Sequence, residues 1–215
     1  MNDDKNESVD KSPNPQLEAR FTRVFATNLW QDSESISGPG SRLGSYFVTE
    51  TVESLKRICR EYSIKTMNDI PCGDLNWISK FLSELSLVKY TGFDIVQPLV
   101  DRNRKIYPDI DCRILDITSQ IPPKADLILC KDLIIHLNDD DIRRALRNIK
   151  LSGSTYLLAT NNFGMPNGDL REHLHGDSAC RYVDILTAPF DYAPPIWRTD
   201  YLGLWQLADW PEPAA

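Results

Sequence analysis

Residues 69–75 read Asp-Ile-Pro-Cys-Gly-Asp-Leu and lie between a short β-rich run and a helical pattern. The run begins at Thr66, and the pattern places apolar side chains on one helix face, at Ile78, Phe81, Leu82 and Leu85. Asp74 can cap this helix, because its carboxylate accepts hydrogen bonds from the free N–H groups of the first turn. The stretch therefore predicts a strand, a glycine-containing turn and a helix.

The same alternation continues along the chain. Four further β-rich runs have the length of strands: Val88–Ile95, Cys112–Ile117, Asp126–Cys130 and Thr155–Ala159. Helical patterns in three of the intervals are typical of a parallel sheet with helices on both faces. Two later runs, Tyr182–Ile185 and Leu202–Leu207, predict an antiparallel hairpin at the sheet edge. We therefore expect an α/β fold with a mostly parallel sheet of seven strands.

The length and composition predict one domain. A chain of 215 residues suffices for one domain with short extensions. Residues 1–20 begin with a polar, charged stretch that is predicted as a disordered tail, and residues 21–215 are predicted as a single domain. No apolar run approaches the roughly 18 residues that cross a bilayer, and the N-terminus is acidic where a signal peptide is basic. We therefore expect a soluble, cytoplasmic protein without membrane insertion.

The charge balance argues against a nucleic-acid partner. The chain has 24 Lys and Arg against 31 Asp and Glu, which gives a net charge of -7. Such a balance opposes a phosphate-rich partner unless basic residues are concentrated locally. One predicted helix carries a basic group that is more typical of a solvated face: Arg143, Arg144, Arg147 and Lys150. The five cysteines form no CxxC pair, as expected in a reducing compartment.

Acidic side chains follow successive predicted strands. Asp69, Asp94 and Asp116 each stand at a strand end, and Lys131 and Asp132 follow the fourth strand. The carboxyl ends of parallel strands meet at one edge of the sheet, where α/β proteins bind their ligands. Like charges crowded at one edge raise each other's energy unless a ligand uses them. A ligand site is therefore predicted at this edge.

In this order, the residues resemble those of the class I S-adenosylmethionine-dependent methyltransferases. Their first motif has an acidic residue and three alternating glycines, of which Gly73 alone is present within residues 69–75. The acidic residues Asp94 and Asp116 and an apolar fourth strand complete the series, which covers roughly residues 64–162. The resemblance implies a Rossmann-like fold and S-adenosylmethionine as cofactor. Residues 21–63 are then an N-terminal helix and lid, 64–162 the cofactor-binding core, and 163–215 the acceptor-binding loop and final strands.

The resemblance also implies roles for individual residues. Asp94 accepts hydrogen bonds from both ribose hydroxyls, which suits a charged acceptor. Asp116 accepts from the adenine amino group, and the N–H of Ile117 donates to the ring. Gly73 lets the backbone approach the methionine part closely. The complete implied cofactor set is Ser37, Gly38, Ser41, Asp69, Pro71, Cys72, Gly73, Asn76, Trp77, Asp94, Ile95, Asp116, Ile117 and Lys131.

A narrower resemblance concerns the acceptor. Residues 69–77, the small-residue loop 37–41 and residues 131–137 are similar to those of glycan methyltransferases joined to glycosyltransferases in bacteria and large viruses. This similarity implies a sugar or glycan acceptor and a link to glycosyltransferases. Loop 37–41 would cover the donor as a lid, with Trp30 or Trp77 as an apolar wall, and its alternative interpretation is a flexible linker.

A sugar hydroxyl is a poor nucleophile, so a base is needed to take its proton. Asp132 and His136 are the candidates, and both lie on one face if the chain there is helical. The predicted acceptor-binding residues are Asn161, Asn167, Asp169 and Arg181. His173 and His175 lack a third ligand, so no resident metal is predicted. Asp132 with Asn161 or Asp169 remains the alternative set for a divalent ion.

Three other functions remain open at this point. A nicotinamide oxidoreductase needs Gly-x-Gly-x-x-Gly after the first strand, which residues 71–75 lack. A nucleic-acid methyltransferase acting on amino groups usually has Asn or Asp, Pro, Pro and an aromatic residue after the fourth strand, where this chain has residues 130–133, Cys-Lys-Asp-Leu. A non-catalytic binding module is the third. The sequence favours an O-methyltransferase acting on a saccharide, with a small-molecule or secondary-metabolite acceptor as the alternative.

Overall fold

A computed structural model describes residues 14–85, 88–168, 177 and 179–212. Within these residues the sheet has seven strands in the order β3-β2-β1-β4-β5-β7-β6. The strands are β1 (Thr66–Asp69), β2 (Lys89–Asp94), β3 (Asp111–Ile114), β4 (Leu127–Cys130), β5 (Tyr156–Thr160), β6 (Trp197–Arg198) and β7 (Leu202–Gln206). The first five strands pair in parallel, whereas β7 pairs antiparallel with both β5 and β6. The mostly parallel seven-stranded sheet predicted from the sequence is confirmed.

One strand of the final hairpin lies elsewhere than predicted. The strand that pairs with β7 is β6, at Trp197–Arg198, so the assignment of a strand to residues 182–185 was wrong. Three amide side chains accept hydrogen bonds of 2.8 Å from the N–H groups of Val183, Asp184 and Ile185. Because side-chain oxygens accept these N–H groups, the segment does not pair with a strand. Val183 and Ile185 instead pack in the core cluster beside α5.

In the part of the chain that the structure describes, five α-helices surround the sheet: α1 (Pro15–Thr27), α2 (Tyr46–Glu61), α3 (Ile78–Phe81), α4 (Gln97–Ile106) and α5 (Asp139–Leu151). Short 3-10 turns lie at Pro39–Ser41, Leu82–Leu85, Ile134–His136 and Leu207–Asp209. The predicted tail through residue 20 is too long, because the Asn14 side chain caps α1 and Pro15 begins it. Proline suits the first helical position, which has no intrahelical partner for an N–H.

The core has two layers, one on each face of the sheet. On one face, Ile142, Leu146 and Ile149 of α5 pack with Ile128 of β4 and Leu157 of β5. On the other face, α2, α3 and α4 contribute apolar side chains to a second cluster that includes the buried residues Leu55, Ile78, Val100, Leu127, Leu129 and Leu158. The strands are therefore covered on both faces, as a parallel sheet requires. No described helix combines the length and apolar character needed to cross a membrane.

Candidate active site

A cavity of about 850 Å³, open in part to solvent, lies at the carboxyl ends of β1, β2 and β4. It includes ten of the cofactor residues expected from the sequence: Ser37, Ser41, Asp69, Pro71, Cys72, Gly73, Trp77, Asp94, Ile95 and Lys131. Both proposed bases, Asp132 and His136, also line it. The sequence therefore identified the edge of the sheet at which the cavity forms.

Gly73 holds the loop after β1 against the end of β2. Its N–H donates to Asp94 Oδ2 at 3.1 Å, and its carbonyl accepts from Asn103 Nδ2 of α4 at 2.7 Å. The φ angle of +56° lies in the left-handed region that favours glycine. A Cβ at this position would also collide with Ser37 Oγ. The loop therefore depends on glycine for both its conformation and its approach to the segment before α2.

Two buried carboxyl groups face the cavity. Asp94 accepts from the N–H groups of Gly73 and Val96, and Asp69 accepts from Tyr90 Oη at 2.8 Å. Burial raises the pKa of Asp69 to about 7 and that of Asp94 to about 6. Each carboxylate has more lone pairs than these partners use. Both groups are therefore suited to accept hydrogen bonds from a ligand in the cavity.

The segment before α2 forms an ordered cover, hereafter the lid (residues 32–42). Asp74 accepts from Ser35 Oγ and from the N–H of Ile36 at 2.9 Å, and its own N–H donates to Ser37 Oγ. At the start of the lid, Asp32 accepts from the Arg42 guanidinium at 2.7 Å. These hydrogen bonds attach the lid to the loop after β1.

Asp132 is held by three side chains. Its Oδ1 accepts from Tyr201 Oη at 2.5 Å and Thr160 Oγ1 at 3.0 Å, and its Oδ2 lies 2.5 Å from Lys131 Nζ. The same ammonium donates to the Gly40 carbonyl of the lid at 3.0 Å. Because the φ angle of Asp132 is +56°, the residue adopts a left-handed conformation that asparagine and aspartate tolerate better than most residues. Its carboxylate is thereby connected to both the lid and β5.

His136 lies in a 3-10 turn, not in the helix considered from the sequence. Its Nδ1 is 3.0 Å from the carbonyl of Ala179. A carbonyl only accepts hydrogen bonds, so Nδ1 carries the proton in the neutral ring and Nε2 keeps its lone pair. Burial and the nearby Arg20 charge lower the pKa of His136, although Ala179 and Asp132 act in the opposite direction. The ring is therefore neutral at pH 7 and is suited to accept a proton.

Sequence reasoning missed the wall formed by α1. Phe21, Val24 and Phe25 line the cavity, next to Trp30. Trp30 and Trp77, the two candidates for an apolar wall given by the sequence, both line it as well. The spacing of Phe21, Val24 and Phe25 at i, i+3 and i+4 is the signal that could have identified this helix face. Tyr201 and Thr160, which hold Asp132, were also missed, because their approach depends on the pairing of β7 with β5.

Four of the expected cofactor residues do not line the cavity: Gly38, Asn76, Asp116 and Ile117. Asp116 accepts from the N–H of Asn14 at 2.7 Å and from the N–H and hydroxyl of Thr118. It caps the turn after β3 and holds the start of α1. Asn76 instead joins the lid by donating to Glu34 Oε1 and the carbonyl of Ser41.

The structure does not bring Asn161, Asn167 and Arg181 to the cavity. Asn161 is fully buried and donates to Asp184 Oδ1 at 2.8 Å, while Asn167 Nδ2 donates to backbone carbonyls of the same region. Arg181 donates to Asp139 Oδ1 at 2.6 Å and to the Leu137 carbonyl. Their polar groups join segments of the chain after β5 to one another and, through Arg181, to the start of α5. Asp169, the fourth predicted acceptor residue, lies outside the described residues, as do His173 and His175.

Among the described residues, no group of three His, Cys, Asp or Glu side chains is arranged to hold a metal ion. In the alternative metal set, the side chains of Asp132 and Asn161 are each engaged by other partners. Asp132 is bonded to Tyr201 and Lys131, whereas the Asn161 amide is bonded to Asp184 and Ile185.

Comparison with known proteins supports the fold. No protein-family model matches the chain, and no curated protein sequence matches it. Human N-acetylserotonin methyltransferase, solved in complex with SAM, is similar with a TM-score of 0.61 and 16% identity over 91% of this chain. This chain spans 60% of that enzyme's length. The PH0226 protein of Pyrococcus horikoshii OT3 gives a TM-score of 0.52 and 12% identity, covering 78% of this chain and 95% of its own. The chain therefore has the Rossmann-like methyltransferase fold.

Proposed function

We propose that the protein is an S-adenosylmethionine-dependent O-methyltransferase. The observation that carries this proposal is the buried Asp94 carboxylate at the end of β2, which faces the cavity beside Gly73. Two carboxylate oxygens with unused lone pairs match the two hydroxyls of a ribose. The resemblance of the sequence to class I methyltransferases assigns the same role to Asp94.

The remaining cavity residues fit an adenosyl sulfonium. Apolar side chains from three elements give a planar base its contacts: Ile95 and Leu99 at α4, Leu133 after β4, and Phe21 and Phe25 of α1. Asp69 offers a carboxylate for the cationic ammonium group of the methionine part. Gly73 has no side chain that would stand in the way of this group. When bound, this donor supplies an electrophilic methyl group.

The chain itself aligns the reactants and excludes water. Trp30, Phe21 and Phe25 form an aromatic wall, and Ile36, Ser37 and Ser41 of the lid also line the cavity. Alignment and exclusion of water are the main contributions that an enzyme makes to an in-line methyl transfer. The lone pair of His136 Nε2 accepts the proton of the acceptor hydroxyl as that oxygen becomes methylated. Asp132 provides a second acceptor on the same side of the cavity.

For the acceptor we favour a hydroxyl of a sugar or glycan. Support comes from the similarity of residues 69–77, 37–41 and 131–137 to those of glycan methyltransferases. The assignment of residues 163–215 to acceptor binding, a cytoplasmic location and a link to glycosyltransferases belong to the same proposal. One observation favours the alternative of a small-molecule acceptor. The wall of Phe21, Phe25 and Trp30 suits a flat, apolar molecule better than a hydroxyl-rich one.

Calorimetric titration with S-adenosylmethionine, S-adenosylhomocysteine and NAD tests the cofactor. We expect binding of the first two compounds and its loss in Asp94→Ala. Asp111→Ala is the matched control, because Asp111 stands at the opposite end of its strand and pairs with Arg113 on the surface. Strong binding of NAD without binding of the sulfonium donor would overturn the proposal.

Transfer of a radiolabelled methyl group to a panel of mono- and oligosaccharides and phenolic compounds tests the acceptor. Methylation of phenols alone would exclude the saccharide assignment in favour of the small-molecule one. With an active acceptor, His136→Ala and Asp132→Asn should each lower turnover while donor affinity stays nearly unchanged. Full activity in both variants would remove these residues as proton acceptors.

A further inference from the structure

Arg20 of α1 reaches the carbonyl groups that surround His136. Its NH1 donates to the carbonyl of His136 itself at 2.9 Å, and its NH2 donates to the carbonyl of Ala179 at 3.2 Å. The Ala179 carbonyl is the group that accepts from His136 Nδ1. One guanidinium therefore fixes both the backbone of the histidine and the acceptor that orients its ring.

A third hydrogen bond extends this arrangement. Arg20 Nε donates to the Asp177 carbonyl at 2.9 Å, so the planar guanidinium joins three backbone carbonyls from two separate segments. Arginine suits this task because its donors have a fixed fork geometry and its charge is permanent. Residues 179–196, which the structure describes, contain no strand, and Arg20 provides part of the anchor for Ala179.

The two nitrogen atoms of the ring have different surroundings. Nδ1 is hydrogen-bonded to the Ala179 carbonyl. Within the described residues Nε2 has no hydrogen-bond partner, and it does not belong to the fully buried polar atoms that lack one. Since the ring lines the cavity, Nε2 is accessible from it. Trp30 packs 5.5 Å from the imidazole and Phe21 packs against it edge-on, which restricts rotation of the ring.

We infer that Arg20 is a positioning residue for the proton acceptor of the proposed methyl transfer, holding His136 with Nδ1 protonated and Nε2 facing the acceptor. The inference rests on the proposed function. It assigns to α1 a second role besides lining the cavity. Arg20 does not line the cavity. It acts through the carbonyl of Ala179 and the turn that contains His136.

The groups around the ring make its tautomer the property to measure. The Ala179 hydrogen bond and the Asp132 carboxylate raise the pKa of His136, whereas the Arg20 guanidinium lowers it. Loss of Arg20 removes its charge and also loosens the Ala179 carbonyl, so its two effects on the pKa oppose each other. Its effect on the tautomer has one direction, because a ring released from Ala179 is free to carry its proton on Nε2 and then offers no lone pair to the acceptor.

The decisive variant is Arg20→Met, which keeps an unbranched apolar stem and removes all the donors. Arg23→Met is the matched control. Arg23 stands one turn further along α1 and binds the Asp177 carboxylate at 2.6 and 2.9 Å. Within the described residues, both of its side-chain hydrogen bonds go to that carboxylate and neither goes to His136 or Ala179. Both variants loosen the attachment of α1 to residue 177, and only the first removes the hydrogen bonds to the histidine turn.

The first readout is nuclear magnetic resonance of the histidine rings, which needs no substrate. The chain has three histidines, so the His136→Ala variant identifies the signal of His136. In Arg20→Met we expect a larger share of the tautomer protonated at Nε2, with no such change in Arg23→Met. An unchanged tautomer in Arg20→Met would overturn the inference, even if methyl transfer occurs.

The second readout is kinetic. We expect kcat of Arg20→Met to fall on the order of tenfold, a fraction of what a general base supplies, with the donor Kd within about twofold. Arg20→Lys should recover part of the rate, because it restores the charge but not the fork. A fall in kcat without the change of tautomer, or an equal fall in Arg23→Met, would show a merely structural role and contradict the inference. Absence of methyl transfer from the unsubstituted chain to any acceptor would instead count against the proposed function.

Discussion

Asp94 ties the end of β2 to the loop after β1 by accepting the N–H of Gly73 at 3.1 Å from its Oδ2. The same carboxylate caps the turn into α4 through the N–H of Val96 at 3.0 Å. One side chain thus fixes the two neighbouring loops that form the floor of the cavity. It stays buried and accepts only part of the hydrogen bonds that a carboxylate can accept.

Buried carboxyls should make the free protein more stable in mild acid. Burial raises the pKa of Asp69 to about 7 and that of Asp94 to about 6, above their unfolded values. The folded chain then binds these protons more tightly, so their contribution to the free energy of unfolding falls as the pH rises from about 4 to about 7. The slope is at most about 1.4 kcal/mol per pH unit for each group.

Urea unfolding at pH 5 and pH 7.5 measures this effect. We compare the free energy of unfolding of the Asp69→Asn, Asp94→Asn double variant with that of the unsubstituted chain. The lost hydrogen bonds to Asp94 contribute equally at both pH values, so the difference should be more favourable to the variant at pH 7.5 than at pH 5. Hydrogen bonds lower the pKa of Asp32 and Glu34, which act in the opposite direction in stronger acid. They are common to both chains and cancel in the comparison. A difference that is independent of pH would contradict the prediction.

Gly73→Ala should damage both stability and donor binding. Gly73 and Gly153 have φ angles of +56° and +66°, but only at Gly73 would a Cβ meet another group, Ser37. Gly153→Ala should therefore cost only the left-handed backbone strain, about 1–2 kcal/mol. Gly73→Ala should cost more and weaken binding of the donor at least tenfold. Equal losses of unfolding free energy in the two variants, measured in urea, would show that contact with the lid contributes nothing.

Removal of the Asp74 carboxylate should release the lid. Asp74 holds Ser35 and Ile36 by hydrogen bonds, and Arg42 at the far end of the lid offers a site for trypsin. Asp74→Ala should speed cleavage after Arg42 and weaken donor binding, because the cavity loses its cover. Asp101→Ala, at a half-exposed surface ion pair, is the control. Unaltered cleavage in Asp74→Ala would mean that the lid is held by other contacts.

Asn161 should matter for stability more than for the acceptor. Its amide donates to Asp184 and accepts from the N–H of Ile185, both at 2.8 Å. Asn161→Ala leaves a buried carboxylate and a buried N–H short of partners, which costs about 1–3 kcal/mol each. Urea unfolding should show this loss while the acceptor KM changes little. A large rise in the acceptor KM with an unchanged free energy of unfolding would show that Asn161 binds the acceptor after all.

Tyr201→Phe should lower turnover through Asp132. The hydroxyl of Tyr201 donates to Asp132 Oδ1 at 2.5 Å, and burial together with that carboxylate raises the pKa of Tyr201, so it stays a donor at alkaline pH. We expect kcat to fall several-fold and stability by about 1 kcal/mol, with donor affinity unchanged. Tyr182→Phe, at an exposed tyrosine, should leave all three unchanged. An unaltered kcat in Tyr201→Phe would show that Asp132 needs no such support.

Much of the site could be predicted from the sequence. Alternating strands and helices require a parallel sheet, and parallel strands bring their carboxyl ends to one edge. Asp69 and Asp94 end strands, and Gly73, Lys131 and Asp132 lie in the loops that follow, so all five meet at that edge. This much follows from local patterns, because chain direction and strand order determine which loops share an edge.

Only the tertiary structure decided which polar groups reach the cavity. Asp94 and Asp116 follow neighbouring strands in similar sequence contexts, yet Asp116 is taken up by Thr118 and Asn14, the latter 102 residues away. Arg20 reaches His136 across 116 residues, and Tyr201 reaches Asp132 across 69. A polar side chain bonds to whichever donors packing places beside it, and those donors come from distant segments. Local sequence patterns therefore located the edge of the sheet where the cavity forms, while long-range packing selected the groups that face it.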